Sequence, residues 1–173
     1  MFGDIKKYRI ESSRLKNWDY TTSWWYYVTI NTKNHVEWFG EVQNKKMYLN
    51  EIGKIVEKEW LKTEEIRKHI ELDHYIVMPN HIHGIIIIKE SVETTRRVVS
   101  TTLQPNSLGS IVGQFKSVCT KQIRILEPNF KWQARFYDRI IRNDKELFNI
   151  RNYIMQNPLR WELNKDSSEN LEF

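Results

Sequence analysis

A chain of 173 residues accommodates one ordinary domain with its own core and leaves no room for a second catalytic domain. Hydrophobic residues at 40%, with six glycines and four prolines, exclude a disordered chain, while 27 basic against 22 acidic residues suit a polyanionic partner without specifying one. The single Cys119 excludes an internal disulfide and a cysteine-built zinc site. A cytoplasmic setting is expected, because no apolar run approaches the roughly 20 residues of a membrane span and the first residues lack the apolar core of a signal peptide.

In chain order, residues up to about 22 are basic and read as an arm. Trp24 to Ile30 is a run of β-branched and aromatic residues that predicts the first strand, closed by Asn31. From Leu49 the apolar residues Ile52, Ile55, Val56 and Trp60 recur at helical spacing, with Asn50 as cap, so a helix is expected into the low sixties. Leu72 to Met78 predicts a short strand, Pro79 and Asn80 a turn, and His81 to Ile88 a central strand, apolar on both faces after its first residues. Together they form an antiparallel hairpin. Residues 90–106 show no periodicity and are read as a loop that is a candidate for contacting DNA.

Ser107 then caps a helix with Leu108, Ile111, Val112, Phe115, Val118, Cys119 and Ile123 on its apolar face and Lys116, Lys121 and Arg124 outside it. Phe136 to Arg142 predicts a further strand. Asn143 with Glu146 makes a variant capping box for a last helix, which carries Tyr153 and which Pro158 is expected to end. One domain is expected over residues 1–163, followed by a polar tail over 164–173. Strands and helices interleave, so the expected fold class is α+β around an antiparallel sheet.

Residues two apart on a strand share a face, so His81 and His83 present two imidazoles side by side, a ready pair of metal ligands where a buried sheet face meets the surface. Tyr153 lies at the margin of the last helix's apolar stripe of Leu147, Ile150 and Ile154. Gln156 and Asn157, three and four residues on, share its side of the helix, and either amide could complete a metal site. Candidate phosphate-binding residues are Lys116, Lys121, Arg124, Arg135, Arg139, Arg142 and Arg151, with Trp24, Trp25, Trp132 and Trp161 available for stacking or for the core.

Several ordered motifs together are more specific than any of these alone: Tyr27-Val28-Thr29-Ile30, Val77-Met78-Pro79-Asn80-His81-Ile82-His83-Gly84, Gln114-Phe115-Lys116-Ser117, Trp132-Gln133, Phe136-Tyr137-Asp138, Ile141-Arg142-Asn143, and Tyr153-Ile154 before Asn157-Pro158. In these the chain resembles the single-tyrosine HUH transposases of the IS200-like superfamily, especially those associated with repetitive extragenic palindromes. The resemblance covers most of the chain and implies a ferredoxin-like antiparallel sheet flanked by helices. It further implies Tyr153 as nucleophile, His81 and His83 as metal ligands, and Asn157 as the polar residue completing the site, with Gln156 the runner-up. The implied activity is metal-dependent cleavage and rejoining of single-stranded or hairpin DNA of palindromic repeats through a 5′-phosphotyrosine, with Mg²⁺ or Mn²⁺. It leaves monomer and homodimer both open.

Two other readings compete. A metal-dependent hydrolase using the histidine pair alone fits poorly, because barrel hydrolases need about 250 residues. A domesticated, non-catalytic nucleic-acid-binding module on the same fold is the alternative. Tyr75 and Tyr137 are rival nucleophiles in name only, each in an apolar strand context that favours packing. Asp138 is read as structural in preference to a general base.

Overall fold

The computed structural model describes residues 18–90 and 106–166. The order of elements is β1 (Trp25–Asn31), a hairpin of β2 (Gly40–Gln43) and β3 (Lys46–Leu49), α1 (Glu51–Ile66), β4 (Ile70–Met78), β5 (His81–Ile88), α2 (Leu108–Leu126), β6 (Tyr137–Ile140), α3 (Asp144–Met155) and α4 (Asn157–Asp166). The main sheet runs β4-β5-β1-β6 with every neighbouring pair antiparallel. Leaving aside the small hairpin, this is a β-α-β-β-α-β order with the first and third strands central, the ferredoxin-like arrangement expected from the sequence.

The two sheet faces are covered by different layers. Tyr26, Val28, Ile30, Ile82, Ile86 and Ile140 point to one face and pack with Val56 and Trp60 of α1 and Ile111, Phe115 and Ile123 of α2. Tyr27, Ile85, Ile87 and Ile141 point to the other, where they meet Leu147, Ile150 and Ile154 of α3. Period two along each strand and helical spacing along each helix generate this sandwich directly. Arg151 of α3 docks bidentately on Asp73 of β4 and lies over the Trp25 ring, fixing the helix across the sheet.

Local signals act where expected. Asn50 accepts from the Gly53 amide, Ser107 from the Ser110 amide, and Asn143 from the Glu146 amide. The Glu146 carboxylate reaches back to the Arg142 amide, one residue before the position a standard capping box uses.

Three expectations are corrected and one element is added. Pro158 does not end the helical region: the chain kinks at Gln156 and Pro158 sits in the first turn of α4, where its missing N–H has no helical partner to lose. Helix therefore continues to Asp166, past the expected start of the tail. The arm stops short of residue 22, since Trp18 donates from Nε1 to the Tyr26 hydroxyl and Tyr20 packs on the Tyr26 ring. The β2–β3 hairpin was not foreseen. Its two-residue turn uses Asn44 and Lys45 at φ of 50° and 60° in place of a glycine-bearing pair. Residues 91–105 of the expected DNA-contacting loop lie outside the described residues.

Candidate active site

His81 and His83 stand at the start of β5 on the α3 face, opposite Asn31 and Thr29 of β1. Their Nε2 atoms converge to 3.0 Å. Each Nδ1 is held from behind: that of His81 by Asn80 Oδ1 at 2.7 Å, that of His83 by the hydroxyls of Tyr27 at 2.8 Å and Thr29 at 2.9 Å. Because Asn80 Nδ2 donates to the His35 carbonyl, its Oδ1 is the acceptor, so His81 carries its proton on Nδ1 and turns a lone pair inward. The hydroxyls behind His83 can donate or accept, leaving that ring free to carry its proton on either nitrogen.

Burial keeps both imidazoles neutral. It lowers His81 to about 4, helped by the nearby His35, and His83 to about 3, helped by His81. In the unfolded chain both protonate near 6.5. The unfolded state therefore takes up protons first as pH falls. Stability on this account is full above about 6.5 and declines as pH falls toward the folded values of about 4 and about 3. Thermal unfolding across this window should show that slope, and His83→Asn should flatten it in part; an unchanged slope in the variant would remove His83 as a source.

The donor set fits a divalent cation. Two neutral imidazoles with converging nitrogens and engaged second nitrogens have the second-shell support that metal-bound histidines show. Asn157, 6% exposed at the start of α4, hydrogen-bonds His81 through its side chain and adds an amide. Gln156 is exposed, and its backbone N–H closes the end of α3. Of the two amides, Asn157 is the one brought to the histidines. Among the described residues no three His, Cys, Asp or Glu side chains gather as a metal cluster, so any such site rests on the histidine pair and this amide.

Tyr153 of α3 projects over the same place. Its ring centroid lies 5.3 Å from that of His83 and 6.4 Å from that of Tyr27, and the Arg160 guanidinium lies 5.3 Å from the Tyr153 ring. With Tyr27, Thr29, His83, Tyr137, Arg139 and Ile150 it lines an open cavity of about 440 Å³. The phenol is thus partly wet, beside His83 and under the Arg160 guanidinium.

No family model matches the chain. An uncharacterized protein of Haemophilus influenzae is 35% identical over 160 residues, covering 87% of this chain and 89% of its own length. The chain belongs to that protein's family. Among solved structures, the REP-associated tyrosine transposase bound to a REP hairpin is similar with a TM-score of 0.60 at 20% identity, over 87% of this chain and 74% of that one. This family therefore has the α+β fold of that transposase, and the resemblance read from the motifs holds at the level of the fold.

The remaining sequence candidates scatter. Lys116, Lys121 and Arg124 line one groove beside α2, remote from Arg142, which lines a depression with Trp24 and Leu147. Arg135 is exposed between them in sequence. Arg139 reaches the tyrosine cavity while paired to Glu146, and Arg151 is held by Asp73. Tyr75 packs on Trp60, but Tyr137 is 45% exposed on the cavity wall, contrary to the packed role expected. The cause is β6 being an edge strand: Asp138 and Ile140 take its buried face and leave Tyr137 and Arg139 on the open one. Sequence reasoning missed Tyr27, Thr29 and Arg160. The first two were findable as same-face residues of β1 once its register with the histidine strand is set; Arg160 becomes visible only with the kink at Gln156.

Proposed function

We propose that the protein is a metal-dependent single-stranded DNA endonuclease and strand transferase that uses Tyr153 as nucleophile. The observation that carries this reading is Tyr153 standing beside His83 over one cavity, with both Nε2 atoms of the histidine pair converging next to it. Tyr153 Oη attacks a backbone phosphorus in line; the new O–P bond makes a 5′-phosphotyrosine while the bond to the leaving 3′-oxygen breaks, and that oxygen takes up a proton. Attack by a 3′-hydroxyl on the phosphotyrosine reverses these events and rejoins the strand.

Arg160 and Arg139 supply positive charge to the phosphate's surroundings, and Tyr27 and Thr29 orient His83. Mg²⁺ or Mn²⁺ held by His81, His83 and Asn157 would offset negative charge on the phosphoryl oxygens. The phenol must lose its proton during attack. Asp138 is not placed to take it, being buried on the opposite face of β6 beside Tyr26. The fold shared with a transposase bound to a REP hairpin supports hairpin DNA as substrate.

Incubation with stem-loop oligonucleotides in MnCl₂ is expected to yield a denaturation-resistant protein–DNA adduct that EDTA prevents. Binding with no adduct under any metal condition would leave a non-catalytic DNA-binding protein.

A further inference from the structure

The exposed aromatic side chains among the described residues are Trp24, Tyr48, Tyr137, Phe148 and Tyr153. Of these, Tyr137 and Tyr153 line the cavity beside His83. The chemistry above employs Tyr153 and leaves Tyr137 without a task. Tyr137 stands opposite Thr29 on the open face of β6, an edge of the sheet. Its ring meets Tyr27 with centroids 6.3 Å apart and planes at 69°. Such an edge-to-face contact covers at most one face of a ring, so at least one face of Tyr137 is left uncovered by Tyr27. With the residue 45% exposed, packing alone does not account for so large a side chain here.

Arg139, two residues along the same strand face, also lines the cavity. Its guanidinium donates a side-chain hydrogen bond to the Tyr137 hydroxyl and pairs with Glu146. The Tyr137 ring is therefore held at its hydroxyl end, with a cation beside it, and no acidic side chain lines the cavity. An uncovered aromatic face next to a basic group is the combination that recognises unpaired nucleic acid, in which bases stack on rings while cations follow the backbone. A base inside a duplex has both faces covered by its neighbours and cannot use such a ring.

We propose that Tyr137 stacks one unpaired base of the DNA strand lying in the Tyr153 cavity. The identity of that strand as substrate rests on the strand-cleavage reading, whereas the stacking rests on the exposed ring. Because every base presents a π face, this contact selects an unpaired nucleotide without reading its sequence. The base is gripped from β6, across the cavity lining from the nucleophile on α3.

The test measures binding in EDTA by the wild type, Tyr137→Leu and Tyr137→Phe. Leucine keeps an apolar contact with Tyr27 and removes the flat ring; phenylalanine keeps the ring. The DNA is a stem-loop oligonucleotide with an unpaired flank, intact or with a single abasic residue stepped through that flank. In the wild type, one abasic position should weaken binding at least about five-fold. Tyr137→Leu should lose a similar factor on intact DNA and be indifferent to the abasic residue at that position, the signature of one shared contact. Tyr137→Phe should match the wild type on every DNA. Tyr137→Thr, which suits an exposed strand position, repeats the comparison without a ring should the leucine variant fail to fold. Losses that simply add at every position, the absence of any loss, or a Tyr137→Phe as weak as Tyr137→Leu would each overturn the proposal. Adduct formation by the wild type in MnCl₂ is scored separately, so failure of the cleavage chemistry leaves the stacking comparison readable.

Discussion

Tyr153→Phe is expected to bind stem-loop DNA within about two-fold of wild type and to form no covalent adduct, a rate loss of about 10³-fold or more, as for removal of any nucleophile. The substitution deletes one oxygen and keeps the ring that packs beside His83 and Tyr27 and under Arg160. Fold and binding should therefore survive. Tyr137→Phe is the necessary companion, because Tyr137 is as open to solvent as Tyr153 and lines the same cavity. Its ring meets Tyr27, and no contact ties it to either histidine, so this variant should retain adduct formation. Loss of the adduct in Tyr137→Phe with retention in Tyr153→Phe would reverse the assignment.

Gly84→Ala should lower the thermal midpoint by roughly 2–12 °C, corresponding to an overpacking cost of about 1–3 kcal/mol in a domain of this size. Gly84 lies on the central strand against the Trp60 indole, and an added Cβ would sit 2.3 Å from its Cζ2 and 2.9 Å from its Cη2. Trp60 is 1% exposed and wedged between Tyr75 and Phe115, so it cannot yield cheaply. A shift of β5 would instead displace His83, the preceding residue, and weaken Mn²⁺ binding along with stability. Trp60→Phe should recover part of the loss in the Gly84→Ala background, a coupling a double-mutant cycle reads directly. An unaltered midpoint in Gly84→Ala would show that the indole has room to move.

These two positions mark what the sequence can and cannot disclose. His81 and His83 were legible because a strand places residues two apart on one face, and the apolar run after them leaves no doubt that it is a strand. The burial of β5 on both faces and the caps Asn50, Ser107 and Asn143 were legible for similarly local reasons. Tyr27 and Thr29 behind His83 were not, since their role depends on the β1–β5 register, set by packing across more than fifty residues of chain. Pro158 misled because its local rule serves equally to stop a helix and to start one, and only the geometry at Gln156 decides between them. Tyr137 misled because an edge strand leaves one face open, and its place at the edge is a property of the sheet.

The most direct measurement is peptide mapping of the covalent adduct formed on stem-loop DNA in MnCl₂. After nuclease trimming and trypsin, the account predicts the nucleotide on the peptide of residues 152–160, which contains Tyr153. A nucleotide on the peptide of residues 136–139, which contains Tyr137, would contradict it.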